Sequence, residues 1–597
     1  MRNNTKATYW MLLTAGWMVL GSVQAASQEY DTDFSLRSSR LLAYYASVTG
    51  GSGFQAACAK LAAGIDERRA IDCIEAKLKA PSGDMFFIYP LIGTYLHLQD
   101  RLPDELKHHM QALFSIYTPY RGDTENHWLM YYTALYLAAQ TWPDLNGAFW
   151  FNGKSSQENL EEAAAYLNCW FDLTTTQGQG EFDSPDYAGV YLSPLCLLYD
   201  FARDPAMRLK SRMMLDYFLA DWAGEHLKGM LCGGFSRVYE PQVYTPRQSV
   251  VSTLLWLYFG DCDFNPSGSM HEAIFPALSS YRPPEILVSI ARDRSQPYSH
   301  HETKRVRNII RYRSIKNPPV YKTLYMTDLY ALGSLQGGIL QPIQQHTWGL
   351  TWVSDKPHPC IFTLHPYFSS EELASFFPEE PKILVDDVVK SKGTYNKPDK
   401  WTGGSPFEQT FQYESTIIVL YHLQKGEGWP HIDGFFPKQL DERSTDPSGW
   451  IFCREGDVFI ACFPLRPYTW IEEDVCFRMR SPHARNGIIM EVSSRKKFLD
   501  FATFKKHIRQ NKIDTSHFMD NLSVTYTNCD GNELTFSYDG SRVLNGSHIV
   551  LSDYGLFSGP FFKSEVGSGR LEIRYQLQKR DLDFRACRLT EEVTPGD

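Results

Sequence analysis

Apolar residues recur at helical spacing through the first half of the chain. The clearest amphipathic helices are predicted at Arg68–Leu78, Asn159–Leu173, Ala206–Trp222 and Gln248–Phe259. The segments between them carry Gly, Pro and Asn, as at residues 81–83, 146–147 and 152–153. No regular sequence repeat accompanies these helices, so a standard solenoid is not indicated. The pattern instead predicts a helical toroid or array.

After about residue 300 the pattern changes to alternation of apolar and polar residues. This alternation is typical of strands that bury one face. The segment Leu571–Leu577 is the cleanest example, and further strands are predicted at Val458–Phe463, Thr416–Leu423, Gly487–Val492 and Leu534–Tyr538. Helices followed by strands indicate an α+β multidomain chain rather than an α/β fold.

The boundary between the two halves is predicted near Gln296, within a stretch rich in Pro and charge. We therefore expect a helical domain over residues 27–296 and an antiparallel β domain over residues 297–597. Clefts between domains are preferred ligand sites. A long cleft is expected where these two domains meet.

The N-terminus has the pattern of a secretory signal peptide over residues 1–26. Arg2 and Lys6 precede an apolar stretch at residues 9–19, and small residues end the segment at Ala25 and Ala26. The mature protein is therefore expected to be periplasmic or secreted, without a membrane-spanning segment.

The 12 cysteines are too few for a disulfide scaffold, although one or two bridges are compatible with an oxidising compartment. Cys58 and Cys73 are plausible partners for a bridge, whereas Cys196 and Cys462 lie in apolar runs typical of buried thiols. No CxxC pair occurs, which argues against a zinc site built from thiolates.

The formal net charge of -10 disfavours a nucleic-acid-binding protein. An anionic polymer remains a possible partner, but only through a local basic cleft. No glycine-rich phosphate loop is present, and no cofactor is expected.

The segment Arg121–Trp128 has the densest combination of polar and aromatic residues, and it precedes a helix predicted at Leu129–Gln140. With Asp123 or Thr124 as the N-cap, Asn126 and His127 fall in the first helical turn, where an anion such as a carboxylate is favoured. The alternative is that Asn126 caps the helix and His127 is a buried core histidine.

A second segment, residues 180–191, contains Ser184-Pro185, a typical helix start, followed by two tyrosines. Tyr187 and Tyr191 are four residues apart and would share a helix face. A phenol there can act as a proton donor or as a base. The alternative interpretation is a pair of core tyrosines.

Two further segments carry candidate binding residues. Arg237, two residues before Tyr239, could hold a carboxylate with two N–H groups, or form a surface salt bridge. His346 and Trp348 alternate onto one strand face, directed either towards the cleft or to a sheet edge.

The order and spacing of these residues resemble the heparinase II/III-like and alginate-lyase-like polysaccharide lyases. Members of those families have an (α/α) toroid, an incomplete helical barrel, followed by an antiparallel β-sandwich. They carry an Asn-His pair, a tyrosine some tens of residues later and a further histidine early in the β domain. In this chain the matching residues are Asn126-His127, His346 and either Tyr187 or Tyr191, of which we choose Tyr187. The helical-then-β layout covers nearly the whole mature chain.

This resemblance implies a lyase that cleaves a uronate-containing polysaccharide such as alginate, glucuronan or a glycosaminoglycan by β-elimination. Asn126 would neutralise the uronate carboxylate, and Tyr187, His127 and His346 would share the acid and base roles. Arg237, Tyr239, Tyr191, Trp128 and Trp348 are the expected substrate-binding residues. Some relatives hold a structural metal in the β domain; no ligand cluster is evident in this sequence, and no metal is predicted.

Two other functions are compatible with the same layout. A glycoside hydrolase would need two carboxylates flanking the scissile bond, and Glu125, Glu181, Asp183 and Asp186 lie in the same segments. An exported glycan-binding protein would keep the aromatic cleft without needing His127 or Tyr187. The distinguishing feature is whether carboxylates or the tyrosine and histidine set line the cleft.

Overall fold

The computed structural model describes residues 32–48, 53–122, 124–266, 270–306, 318–338, 344–369, 395–426 and 428–593. The predicted signal peptide and Asp123 lie outside the described residues. Within them the chain is helical to residue 292 and mainly strand from residue 298 onwards. The protein therefore has the α+β organisation that the change of pattern predicts.

The helices of the first half follow one another with short connections, and two turns of 3-10 helix lie at Gly147–Phe149 and Met270–Ala273. The α-helices are α1 (residues 32–47), α2 (Phe54–Ala63), α3 (Glu67–Lys79), α4 (Met85–Leu98), α5 (Asp104–Ile116), α6 (Glu125–Thr141), α7 (Ser156–Gln177), α8 (Gly189–Phe201), α9 (Pro205–Glu225), α10 (Glu240–Tyr244), α11 (Val250–Phe259), α12 (Ile274–Leu278) and α13 (Glu285–Arg292). Helices α3, α7 and α9 cover and extend three of the predicted ranges, whereas α11 begins at Val250, two residues after the predicted start at Gln248.

Alternate helices form the inner wall of a toroid. Helices α2, α4, α6 and α8 pack side by side in that order, and α12 contacts both α8 and α2 and so closes the ring. The intervening helices α3, α7 and α9 pack outside, each against the inner helix that precedes it. Helix α6 is buried along nearly its whole length, as expected of a helix covered on all sides.

The strands of the second half are paired antiparallel throughout the described residues. They follow a small hairpin of β1 (His226–Leu227) and β2 (Met230–Leu231), and two short helices interrupt them, α14 (Phe501–Ile508) and α15 (Phe518–Asn521). The strands are β3 (Tyr298–Lys304), β4 (Val320–Met326), β5 (Tyr330–Gly337), β6 (Trp348–Trp352), β7 (Cys360–Leu364), β8 (Glu408–Tyr413), β9 (Thr416–His422), β10 (Ile432–Pro437), β11 (Glu442–Thr445), β12 (Ile451–Glu455), β13 (Val458–Pro464), β14 (Thr469–Glu472), β15 (Cys476–Ser481), β16 (Arg485–Ser494), β17 (Ile513–Asp514), β18 (Ser523–Thr527), β19 (Glu533–Ser537), β20 (Arg542–Leu544), β21 (Ser547–His548), β22 (Phe557–Ser558), β23 (Phe562–Ser564), β24 (Arg570–Tyr575), β25 (Gln578–Asp583) and β26 (Arg588–Val593).

Apart from the β1-β2 hairpin, the described strands form one long sheet and two smaller ones. The long sheet has the order β14-β15-β10-β7-β6-β5-β4-β3-β22-β23-β24-β25-β26, and the next has β11-β12-β13-β16-β9-β8. These two sheets pack together at β5 and β8, where Gln412 Nε2 donates to the Leu332 carbonyl oxygen at 2.7 Å. All five predicted strands are present. β24 ends two residues before the predicted end at Leu577, and β9 and β19 each end one residue before theirs.

The helical domain is joined to the long sheet by buried polar contacts. Lys304 on β3 places its Nζ 2.7 Å from Asp221 Oδ2 on α9. Arg580 on β25 places its Nη2 2.5 Å from Asp216 Oδ2 on the same helix. These buried ion pairs hold α9 against the long sheet.

The predicted bridge between Cys58 and Cys73 is wrong, because both are free thiols. Cys58 is buried in α2 and bonds to Thr94, whereas Cys73 is only half-buried on α3. Cys196 and Cys462 are buried thiols, as expected. Within the described part of the chain, no helix has both the length and the apolar character needed to cross a membrane.

Candidate active site

The site is assembled from segments of both domains. The first turn of α6, the turn at residues 178–188 and the segment at residues 233–239 come from the helical half. Phe235 pairs with His346 in an isolated β-bridge, and the Val238 amide donates to the Gln344 carbonyl at 2.8 Å. This pairing holds the segment before β6 against the toroid.

The anion-binding end of α6 is occupied by a carboxylate of the protein itself. Thr124 is the N-cap residue, but its side chain makes no capping hydrogen bond. Instead Glu181 Oε2 accepts from the backbone N of Asn126 at 3.0 Å and from its Nδ2 at 2.7 Å. The helix start thus has the predicted preference for an anion, and Glu181 satisfies it. Asn126 itself is fully buried.

Glu181 also binds two other residues of the predicted site. Tyr191 donates its hydroxyl to Glu181 Oε2 at 2.9 Å, and Arg237 Nη1 donates to Oε1. Burial would raise the pKa of Glu181, but Arg237 and the hydrogen bonds from Asn126 outweigh it and hold the pKa below its usual range. Glu181 therefore stays charged and organises this part of the site.

Glu181, Asp183 and Arg237 have φ values of 47°, 49° and 47°. This left-handed region is uncommon for residues other than glycine, and such strain concentrates at functional sites. The buried ion pairs of these residues hold the strained conformation in place.

Tyr187 lies beside this ion pair and is half-buried. Its hydroxyl oxygen is 2.7 Å from that of Tyr239, and the Arg237 guanidinium lies 4.3 Å from the centre of its ring. Burial raises the pKa of Tyr187 well above its usual value, although the Arg237 charge opposes the shift. The phenol therefore keeps its proton at neutral pH.

The predicted helix start at Ser184-Pro185 is displaced in the structure. Ser184 Oγ accepts from the Tyr187 backbone N at 3.0 Å, which is a capping-like contact. However, residues 185–188 form turns, and α8 begins at Gly189. Tyr187 consequently precedes the helix and is directed to Tyr239, whereas Tyr191 lies inside the helix and is fully buried.

Of the predicted Asn126-His127 pair, only His127 has exposed surface. Its ring lies edge-to-face with Phe86, with 5.4 Å between ring centres, and it contributes electrostatically to the low pKa of Glu181. The neighbouring Trp128 is mostly buried under Arg121, whose guanidinium lies 3.9 Å from the ring centre. Trp128 Nε1 donates to the Gly122 carbonyl at 2.9 Å.

His346 lies on the β-domain side and is almost fully buried. Its ring stacks on Phe235 with 5.7 Å between ring centres and meets the edge of Phe362. Burial lowers the pKa of His346 to about 3, so it is neutral at physiological pH. Trp348, two residues later, is completely buried and has no surface to offer a substrate.

The four carboxylates that a hydrolase could use are mostly engaged. Glu125 is paired with Arg305, Glu181 with Arg237, and Asp183 with Lys322, and all three acids are buried. Asp186 is partly exposed, and burial raises its pKa to about 6. Three of these four carboxylates are therefore held in buried ion pairs.

Two residues of the site were not among the sequence candidates. Tyr395 bonds to Tyr239 and interacts with Arg237, and Glu240 accepts from the Trp401 backbone N at 2.8 Å. Both contacts join segments more than 150 residues apart, and no local sequence signal could have found them.

A buried group of acids lies behind the site, where the sequence suggested no ligand cluster. The carboxylates of Asp183, Asp221, Glu225 and Glu302 converge within 4.8 Å of one another. Two lysines are already among them: Lys322 Nζ is 2.7 Å from Asp183 Oδ2, and Lys304 Nζ is 2.9 Å from Glu302 Oε2. We assign the group to ion pairing between the domains, because ammonium groups occupy its centre.

No family model matches the sequence, and no curated protein matches it. Among solved structures, the chain is similar to a heparinase III at 9% identity, with a TM-score of 0.38 over 85% of this chain and 81% of that chain. A second heparinase III gene product gives 11% identity and a TM-score of 0.37 over 81% and 83%. A chondroitin AC lyase of Streptomyces coelicolor A3, solved with chondroitin sulphate, gives 12% identity and a TM-score of 0.41 over 92% and 84%.

Proposed function

We propose that this protein is a polysaccharide lyase that cleaves an acidic, uronate-containing polysaccharide by β-elimination. The observation that carries the proposal is the environment of Tyr187. The protonated phenol of Tyr187 lies 2.7 Å from the hydroxyl of Tyr239, and the Arg237 guanidinium lies over its ring. The nearby acids Glu125, Glu181 and Asp183 are all ion-paired. Such a group can deliver a proton, whereas paired buried carboxylates suit hydrolysis poorly.

In the proposed reaction Tyr187 is the general acid. It donates its proton to the O4 leaving oxygen while the C5 proton is removed and the C4=C5 double bond forms. The high pKa of Tyr187 favours this role over that of a base, because the phenol is protonated at neutral pH. As negative charge develops on the phenolate, the positive charge of Arg237 lies over its ring. This charge stabilises the transition state electrostatically.

His127 is the proposed general base. It has exposed surface, and it follows Asn126 in the first turn of α6. A base must come within hydrogen-bond reach of the proton that it removes. His346 is less suited to this role, because its conjugate acid has a pKa of only about 3.

Asn126 is proposed to act through Glu181. Its amide is directed at that carboxylate rather than into open space, so it holds Glu181 and thereby Arg237 in position. Tyr191 supports Glu181 in the same way. This assignment replaces direct contact between Asn126 and a substrate carboxylate. Arg237, whose guanidinium is bonded to Glu181 and Gln344, acts likewise as a fixed charge rather than as a clamp.

The substrate is proposed to be anionic and to enter past exposed side chains beside His127. Phe86 is 40% exposed there and can stack on a sugar ring, and the partly exposed Arg121 can face an acidic group. The products decide between the candidate reactions. Elimination leaves an unsaturated uronate that absorbs in the ultraviolet, whereas hydrolysis leaves new reducing ends without that absorbance.

A further inference from the structure

Three tyrosines from three segments surround Arg237. Tyr187 and Tyr239 share a hydrogen bond of 2.7 Å, and Tyr239 also bonds to Tyr395. The charge of Arg237 interacts with all three phenols. The hydroxyls therefore form a chain, Tyr187–Tyr239–Tyr395, that runs from the toroid to the β domain beside one fixed cation.

Tyr395 belongs to a segment of the β domain that is fastened beside Tyr239. Lys397 Nζ lies 3.2 Å from Glu240 Oε2, and the Trp401 backbone N donates to Glu240 Oε1 at 2.8 Å. Glu240 directly follows Tyr239 in the chain. Lys400, fully buried, donates to the carbonyl oxygens of Tyr367 and Tyr395. Tyr395 is itself only 4% exposed, so the surrounding protein holds its side chain in place within the chain of hydroxyls.

We propose that Tyr395 is a positioning residue that acts on Tyr187 through Tyr239. This proposal rests on the proposed function of Tyr187 as proton donor. When Tyr187 gives its proton to the leaving oxygen, it becomes a phenolate. Tyr239 then donates its hydroxyl hydrogen to that phenolate, and Tyr395 donates to Tyr239. Hydrogen bonds to an ionised acceptor are about twice as strong as neutral ones, and chains of hydrogen bonds reinforce one another.

The proton balance of this step needs no further reactant. The proton from C5 passes to His127 and then to water, and Tyr187 regains a proton from water after the product leaves. Tyr239 and Tyr395 keep their own protons throughout. Tyr395 therefore lowers the energy of the charged state without touching the substrate.

The test compares the full-length wild type with Tyr395→Phe, Tyr187→Phe and the double variant. The phenylalanine at position 395 keeps the ring and removes the hydroxyl. The expected result in the wild-type background is a fall in kcat of about 3- to 30-fold with KM unchanged, as for the loss of one modest hydrogen-bond contribution. In the Tyr187→Phe background the same substitution is expected to have no further effect on kcat. Tyr538→Phe, a partly buried tyrosine that packs on His422, is the matched control.

An equal loss of kcat from Tyr395→Phe in both backgrounds would overturn the proposal, because the residue would then act independently of Tyr187. A failure of the proposed function would give a different result from a failure of this proposal. In that case the wild type would release no unsaturated product, or Tyr187→Phe would keep full activity. Urea unfolding of the same four proteins gives a readout that needs no substrate. The shifts in midpoint are expected to be non-additive if the three hydroxyls form one network, and additive shifts would contradict it.

Discussion

The hydroxyl oxygen of Tyr187 lies 2.7 Å from that of Tyr239, and both phenols adjoin the guanidinium of Arg237. In the proposed reaction, Tyr187 keeps its proton until the transfer, and the phenolate that forms then lies beside the Arg237 charge. Tyr187 is thus the proposed proton donor of the site.

Replacing Tyr187 by phenylalanine should reduce turnover while leaving substrate binding nearly unchanged. The expected fall in kcat is about 10²- to 10⁴-fold, which is typical for the loss of a general acid. Steady-state kinetics on the purified variant provide the measurement. Tyr199→Phe, at the opposite end of α8, is the matched control and should retain normal kcat. Near-normal turnover of Tyr187→Phe would remove this residue from the mechanism.

Replacing Glu181 by glutamine should destabilise the fold. The substitution leaves Arg237 buried without its charge partner, and breaking a buried pair in this way costs about 3–5 kcal/mol. The free energy of unfolding in urea measures the loss. Glu67→Gln is the control, because Glu67 forms a more exposed pair with Arg101 and should contribute less than about 1 kcal/mol. Equal losses in both variants would contradict the role that we give to Glu181.

Lys400 should make stability depend on pH in the alkaline range. Burial lowers its pKa from 10.5 to about 7, although Glu240 opposes the shift. Between these values the unfolded chain binds a proton that the folded protein does not. The free energy of unfolding should therefore rise with pH from about 7 to 10.5, by at most ~1.4 kcal/mol per pH unit from this residue.

The Lys400→Met variant should lose this part of the slope, because methionine does not titrate. Urea unfolding at several pH values in that window measures it. Lys506→Met, at an exposed position on α14, is the control and should keep the wild-type slope. An unchanged slope in Lys400→Met would show that the buried ammonium is not the source.

Replacing Phe86 by alanine should weaken substrate binding with little effect on kcat. The exposed ring beside His127 is the proposed stacking surface for a sugar. Losing about 1–2 kcal/mol of contact would raise KM roughly 5- to 30-fold. Tyr44→Ala, 39% exposed on α1, is a control of similar exposure and should leave KM unchanged. A normal KM in Phe86→Ala would exclude this ring from the substrate path.

The fold could be predicted from the sequence because its signals are local. The helical spacing in α7 and α9 extends over several turns, β24 alternates between apolar and polar residues, and β13 is a continuous apolar run. The start of α8 was missed because Ser184 caps a turn rather than the helix itself. Local chemistry marked this place correctly, but tertiary packing decided where the helix begins.

The candidate site, like the fold, could be predicted from the sequence only in part. The segments that contain Asn126, Tyr187 and Arg237 stand out in the sequence, and the structure brings these residues together. Their partners could not be inferred, because Glu181 meets Asn126 across 55 positions and Arg237 across 56. The burial of Trp348 could not be predicted from the sequence either, because alternation along a strand does not show which face another sheet covers.

The ultraviolet absorbance of the reaction products tests β-elimination most directly. Purified mature protein is incubated with a panel of alginate, glucuronan and glycosaminoglycans, and reducing ends are assayed in parallel. We predict that absorbance from a C4=C5 double bond rises with at least one polymer, in step with new reducing ends, and that Tyr187→Phe reduces both signals. New reducing ends without a rise in absorbance would contradict elimination and direct attention to hydrolysis at Asp186 and its neighbours.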